Sequence, residues 1–418
     1  MNDERKPTEY DLVLGGNNPP PVDGLVLGGI DGLKLQFSNA ISEEKKIAIL
    51  KNAINYGEAR EDWLFDLVAT EKNKIQWLAA VLLSNTKNEV YKQLLLEYFA
   101  EFIPNNIESW NEYKQVLPDF EINLSRINLS GTKLYGIDLS RVNLDEADLS
   151  NIDLSIVSLN DINRVNLSLA SLKNANLKKA YFYESNLFQT DLSEANLEEA
   201  YIIDAKLKQS NLENANLTKA VFYGAELDEA NLSNAIFVNT DFRDRACIQN
   251  MLIDSSYNFS NTSFSETIFK NVTFKNVNLQ SIDFSGSLFE NTIFNRCNLI
   301  GADFRIDCIA NLIFQESDLE NIDFMLSDLK GVKFDRVNLK GADFRRSDLT
   351  GVDFTGLDVS GANFTRCTFG NNNLDKANTE GAKFSGIDSP RFPPNGLEAE
   401  KITGALFDDR HYYEPGYE

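Results

Sequence analysis

From Leu124 onward one large apolar residue returns every five positions, as Leu124, Leu129, Leu134, Leu139, Leu144, Leu149, Leu154 and Leu159. Five matches neither the two-residue alternation of a strand nor the 3.6-residue turn of an α-helix, so either conformation would carry these side chains off a common face. The backbone must therefore turn a corner once per repeat. The phase resumes at Leu167, runs through Leu172, Leu177 and Phe182 to Leu252, and resumes again from Phe259 through Phe264 to Phe384, for 52 units in all. Two residues before many of the centres stands a small side chain, as at Ala147, Ala175, Ala195, Ala215, Ala302 and Ala342, and the residue between is usually Asn or Asp. One small and one large inward residue per corner fill a narrow interior.

A longer period sets how many corners close one turn. Phe182, Ile202, Phe222 and Phe242 recur every 20 residues, and from 304 onward the centres mostly alternate Phe with Leu. Both patterns need an even number of sides, and four satisfies them. Phe304, Phe324, Phe344 and Phe364 then stack on one side, with Phe314, Phe334 and Phe354 on the opposite one. The expectation is a square-sectioned coil of about 13 turns, roughly 60 Å long at the ~4.8 Å spacing of paired strands.

Units such as Ala147-Asp148-Leu149-Ser150-Asn151 and Ala175-Asn176-Leu177-Lys178-Lys179 resemble the pentapeptide-repeat family, whose consensus is Ala-(Asp/Asn)-Leu-x-x. The likeness spans 122–387, or 266 of 418 residues. It implies an all-β solenoid, a right-handed quadrilateral β-helix. It implies no single activity, because the family serves mostly as binding and interaction surfaces and a fold is not a function.

Two slips interrupt the repeat. Leu159 and Leu167 are eight positions apart, so the stretch 160–166 is expected to bulge outward, and Leu252 and Phe259 are seven apart, beside the apolar run Met251-Leu252-Ile253. Ahead of the repeat, 42–117 reads as a small α-helical module of the helical-hairpin, HEAT-like kind. Ser42-Glu43-Glu44 suits a helix start and Tyr56-Gly57 a stop, and helical stripes run through Ile47, Leu50 and Ile54, through Trp63, Leu64 and Leu67, through Ile75, Leu78 and Leu82, and through Val90, Leu94 and Tyr98. The module is expected to cap the first coil, which would otherwise expose apolar residues and a strand edge. Residues 1–41 form an irregular leader with tandem Leu14-Gly15-Gly16 and Leu27-Gly28-Gly29, neither in phosphate-loop spacing. This leader is similar to one found in many cyanobacterial multidomain proteins, which implies a cyanobacterial cytosolic origin. Residues 388–418, with Pro390, Pro393 and Pro394, read as a tail folded over the last coil.

Composition narrows function by exclusion. A formal charge of −23 opposes a general nucleic-acid or anionic-membrane surface, both of which need a positive footprint. With His411 the single histidine, His-based acid–base chemistry and multi-histidine metal sites have almost nothing to work with. Cys247, Cys297, Cys308 and Cys367 lack C-x-x-C spacing and suit a reducing compartment. No secretory signal or membrane-length apolar stretch occurs. The reading is a cytoplasmic protein that is no enzyme, with no catalytic, cofactor or metal site. Asp283, Asp303, Asp323, Asp343 and Asn363 lie 20 apart and form one ladder, but the Asn and the Asp/Asn preference at this position assign it to structure rather than to a cation.

Surface patterning points to a site. On the side carrying Phe182, Ile202 and Phe222, the outward neighbours are Tyr181, Tyr183, Tyr201, Ile203, Val221 and Tyr223, where most units carry Asn, Ser, Lys or Glu. Stacked on three consecutive coils they make a contiguous aromatic patch of the kind that marks interaction sites. The expected function is a scaffold or adaptor that binds an unidentified protein partner through this face. The alternative starts from 184–254, where 13 acids face 5 bases. Some family members resemble duplex DNA and occupy the DNA groove of type II topoisomerases, so a DNA-mimicking modulator of gyrase is the rival. The whole repeat region argues against it: 36 acids and 25 bases leave −11, where ~60 Å of duplex carries about 35 charges.

Overall fold

The computed structural model describes residues 29–154, 164–259, 261–306, 308–370, 373–385 and 406–408. Its repeat region is a parallel β-solenoid, and the five-residue unit explains why. At each corner the amide of the small residue donates to the carbonyl of the preceding centre, as from Ala175 to Leu172 at 3.0 Å. The residue two after the centre takes positive φ, 56° at Asn174 and 65° at Gly301. Such a turn selects Gly or Asn at that position, and the chain supplies many. Between coils, the amide of each centre donates to a carbonyl one turn further on, as Leu172 to Asp191 and Leu192 to Asn211, both at 2.7 Å. Parallel bridges join positions 20 apart, such as Asn186 with Lys206 and Tyr181 with Tyr201, so four sides close one turn.

The described residues amount to about 10 turns, fewer than the 13 expected. One of the 52 counted centres, Leu159, lies in the span 155–163, outside the described residues. The expected bulge at 160–166 lies mostly in that span. The second slip begins earlier than the spacing indicates. Asp244 and Arg245 both take positive φ, 60° and 66°, and place an extra residue in the corner after Phe242. The inward residues are then Ile248 and Ile253, while Leu252 points outward with 57% of its surface exposed. Coil offset grows from 20 to 22 there, as the bridge from Ile236 to Asn258 shows.

From this slip onward the solenoid carries its longest strands. Glu226–Asp228 (β3), Cys247–Ile253 (β4), Ile268–Lys275 (β5), Leu288–Asn295 (β6), Cys308–Gln315 (β7) and Lys333–Asp335 (β8) form one parallel sheet in sequence order, after the short pair Ile122–Asn123 (β1) and Val142–Asn143 (β2). Inside, the phenylalanines stack as expected. Phe344 and Phe364 lie 5.1 Å apart and nearly parallel, Phe314 and Phe334 5.6 Å apart, and the two columns meet edge-on, as Phe304 against Phe314 at 5.4 Å. Lys383–Ser385 (β9) pairs in parallel with Leu406–Asp408 (β10), so part of the tail returns to the last coil.

Among the described residues six α-helices precede the solenoid: Gly29–Asn39 (α1), Glu43–Asn52 (α2), Glu61–Thr70 (α3), Asn73–Leu83 (α4), Glu89–Asn105 (α5) and Ile107–Lys114 (α6). Ser42 caps α2 by accepting the Lys45 amide, and Gly57 breaks the chain before α3 with positive φ. Helix α1 lies inside the span read as irregular leader, because Leu33 and Phe37 bury one of its faces and Phe37 meets Trp63 edge-on at 5.5 Å. In α5 the buried residues are Leu95, Phe99 and Ile103. Val90 and Leu94 are exposed, so the true stripe is rotated from the expected one; the run Leu94-Leu95-Leu96 offers apolar side chains on either face. Among the described residues no helix is long and apolar enough to cross a membrane.

The helices cap the first coil through hydrogen bonds as well as packing. A coil with no predecessor leaves carbonyls without partners, and α6 supplies them. Trp110 Nε1 donates to the Asp138 carbonyl at 2.7 Å and Asn111 Nδ2 to that of Gly136 at 2.6 Å, while Asn111 Oδ1 accepts the Asp138 amide at 2.7 Å. Lys114, 3% exposed, holds the Asp138 carboxylate at 2.8 Å and donates to the carbonyls of Asp138 and Ser140. Removing one partner of a buried ion pair strands the other. Lys114→Met is therefore expected to raise hydrogen exchange of the 122–142 amides about a hundredfold, ~3 kcal/mol, while later coils stay protected; unchanged exchange there would exclude the capping role.

Candidate functional site

The predicted tyrosine face is built as two outward columns on three successive coils. Tyr181, Tyr201 and Val221 are bridged in register, one residue before each inward centre, and the ladder continues to Asp241. Tyr183, Ile203 and Tyr223 stand one residue after the centres Phe182, Ile202 and Phe222, all three of which are buried. The rings of Tyr181 and Tyr201 lie 5.0 Å apart, tilted by 36°. Tyr201 is the most open of the six, 39% exposed, and the other five are half-buried. The structure thus brings all six together as a shallow apolar strip.

Polar locks bound the strip at both ends. On the C-terminal side the Tyr223 hydroxyl donates to Asp241 at 2.9 Å, and Arg243 pairs with Asp241 and lies over the Tyr223 ring. Burial, then the bond to Asp241, holds the Tyr223 hydroxyl above its ordinary pKa. On the N-terminal side Arg164 pairs with Glu184 at 2.8 Å. A hydrogen bond with Glu184 pushes the Tyr183 pKa up, and the Tyr183 and Arg164 bonds hold the Glu184 carboxyl below the usual range. The lock at Asp241 and Arg243 was not singled out from the sequence, although the Asp-x-Arg spacing there recurs at Asp303 with Arg305 and Asp343 with Arg345, both ion pairs.

The acidic coils 184–254 are less bare than their sequence. Lysines one coil away pair with Glu194, Glu198, Glu199 and Asp228. Asp204, Glu213, Glu226 and Asp244 have no ion-pair partner among the described residues. Arg296, Glu316 and Arg336, 20 residues apart in the sequence, pair as a ladder at 2.6 and 2.7 Å. Cys297 and Cys367 take the small inward position, and burial pushes their thiols up to about 11 and about 12. Among the described residues no cluster of three or more His, Cys, Asp and Glu is arranged to hold a metal ion.

A further ladder was missed. Asn250, Asn271, Asn291 and Asn311 each take the positive-φ position of a corner. Each amide donates to the one below, at 2.9 to 3.1 Å, and Asn250 donates to the Asp228 carboxylate. Asn at near-20 spacing was the available signal. Its register depends on the longer coil at Arg245, which the five-residue count places elsewhere.

These features define a four-sided parallel solenoid whose chemistry lies in outward columns of side chains rather than in an enclosed cavity. The family model described as pentapeptide repeats matches in 8 copies, at 122–161, 166–202, 205–244, 258–291, 274–305, 314–346, 327–366 and 347–386. Together these cover more than half of the chain, which belongs to that family. Among solved structures it is similar to HetL, a pentapeptide repeat protein involved in heterocyst differentiation regulation from the cyanobacterium Nostoc sp. strain PCC 7120, at 24% identity over 62% of this chain and 90% of that one, TM-score 0.21. It is also similar to QnrB1, a plasmid-mediated fluoroquinolone resistance protein, at 20% identity over 54% and 90%, TM-score 0.22. A third is Rfr23 from the cyanobacterium Cyanothece 51142, at 24% identity over 39% and 92%, TM-score 0.16. No curated protein matches.

The aspartate ladder has the structural role expected of it. Asp283, Asp303, Asp323, Asp343 and Asn363 each accept the backbone amide two residues on, at 2.8 to 3.1 Å, the local bond that makes Asp and Asn turn residues. Asp323 bears the cost of repetition: burial first, then Asp303 and Asp343, raise its pKa. A carboxyl whose folded pKa is raised favours the native state most below its unfolded pKa, and that advantage is lost as pH rises through the folded value. Asp323→Asn keeps the acceptor and removes the charge. Its stability relative to wild type should rise from pH 3 to pH 7 in denaturant unfolding, and Asp323→Ala should lie about 1 kcal/mol below Asp323→Asn at either pH, because the Met325 amide loses its acceptor.

Proposed function

We propose that this protein is a non-enzymatic, cytoplasmic scaffold or adaptor that binds a protein partner through the face formed by Tyr181, Tyr183, Tyr201, Ile203, Val221 and Tyr223. The observation that carries the reading is the continuity of that strip: two apolar columns in register on three coils, centred on exposed Tyr201. Aromatic residues packed on a rigid sheet lose little freedom on binding and are enriched at interfaces. The helical module serves as cap, with exposed Val90 and Leu94 as a second contact.

The DNA-mimicking reading, a topoisomerase modulator acting through 184–254, draws support from Asp204, Glu213, Glu226 and Asp244, which have no ion-pair partner among the described residues. It is weakened by the lysines that pair with the neighbouring acids. An affinity pull-down separates the two. The adaptor reading expects a partner recovered by wild type and lost with Tyr181→Ala/Tyr201→Ala/Tyr223→Ala at wild-type thermal stability. Identical recovery by the variant would overturn it, and salt-sensitive recovery of gyrase together with inhibition of supercoiling would favour the mimic.

A further inference from the structure

We propose that the segment bound by the tyrosine face is a proline-rich peptide in polyproline II conformation that carries a basic residue. The proposal rests on the partner-binding reading above and adds the chemistry of the partner. Outward columns repeat once per coil, ~4.8 Å, so alternate coils stand ~9.6 Å apart. A polyproline II helix returns to the same face every three residues, ~9.3 Å. Prolines three apart therefore match the spacing of Tyr183 and Tyr223, two coils apart with Ile203 between them, Tyr223 carrying Arg243 over its ring at the end of the strip. An extended strand repeats its face at ~6.8 Å and runs out of phase with this spacing.

The hydrogen-bonding chemistry agrees. A polyproline II backbone makes no internal hydrogen bonds, so its carbonyls need donors. The hydroxyls of Tyr181 and Tyr201 bond to no described residue. Charge supplies the basic residue. Asp204 and Asp244 are exposed along the rim beside Ile203 and Tyr223, without ion-pair partners among the described residues. Between them Gly224 has no side chain, and a Cβ there would collide with Asp204 Oδ1, so the carboxylate lies across an open step between coils. Aromatic rings spaced for prolines with acids alongside fit a peptide of the pattern Arg-x-x-Pro-x-x-Pro.

Fluorescence anisotropy of such a labelled peptide against the full chain tests this. Wild type is expected to bind saturably, Tyr201→Ala about tenfold more weakly, and Asp204→Asn/Asp244→Asn more weakly with a shallower salt dependence. Tyr201→Phe, which keeps the ring, should bind within about threefold of wild type. All variants are compared at matched melting temperature. Replacing both prolines of the peptide by alanine should abolish binding. No binding by wild type at about 1 mM peptide, or equal binding by Tyr201→Ala, would overturn the proposal. A peptide of residues 14–24, which holds Pro19-Pro20-Pro21 but no Lys or Arg, should bind poorly; binding as tightly as the basic peptide would overturn the charge component. Should the peptides fail while the triple alanine variant still loses a partner in the pull-down, the adaptor reading stands and only the proline-rich ligand falls.

Discussion

The rest of this structure depends on the hydrogen bond from each corner's backbone to the coil above it. A five-residue side is too short to bond to itself beyond one turn, so its remaining donors and acceptors must be met one coil away, as Leu172 meets Asp191. Buried backbone groups left unmet are costly. The interior follows from this spacing: rings stack at about the distance the ladder imposes, as Phe344 over Phe364 at 5.1 Å.

The same constraint makes the ends and the interruptions the informative places. The first coil has no predecessor, and α6 stands in for one with side-chain donors from Trp110, Asn111 and Lys114. Where Asp244 and Arg245 widen a corner, the coil grows by residues that point outward, and Leu252 is exposed as a result. At the surface, repetition turns single residues into columns. The columns are neutral where Asn follows Asn, paired where Arg296 meets Glu316, acidic with flanking Arg305 and Arg345 at Asp303, Asp323 and Asp343, and apolar on the tyrosine strip.

Much of the fold was legible because its signal is local and repeated many times. Each centre, small residue and Asx turn carries its own instruction, and the four-sided closure shows in the recurrence of Phe every 20 residues. The Arg296, Glu316 and Arg336 ladder was legible for the same reason. The stripe in α5 was less so, since Val90 and Leu94 satisfy a helical period as well as Leu95 and Phe99 do, and only contact with the neighbouring helices selects between them. The position of the second slip was hidden because Cys247 and Leu252 keep the five-residue phase while Ile248 and Ile253 take the interior.

The candidate site divides in the same way. Sequence alone determined that Tyr181, Tyr183, Tyr201, Ile203, Val221 and Tyr223 share one side of three coils, because a fixed period carries each residue to a known corner. Tertiary structure alone decided that Tyr201 is the open member, that Asp241 and Arg243 close the strip against Tyr223, and that Asp204 lies over Gly224. Those outcomes depend on side-chain directions and contacts between residues about 20 positions apart, where periodicity sets the address but not which neighbour each polar group pairs with.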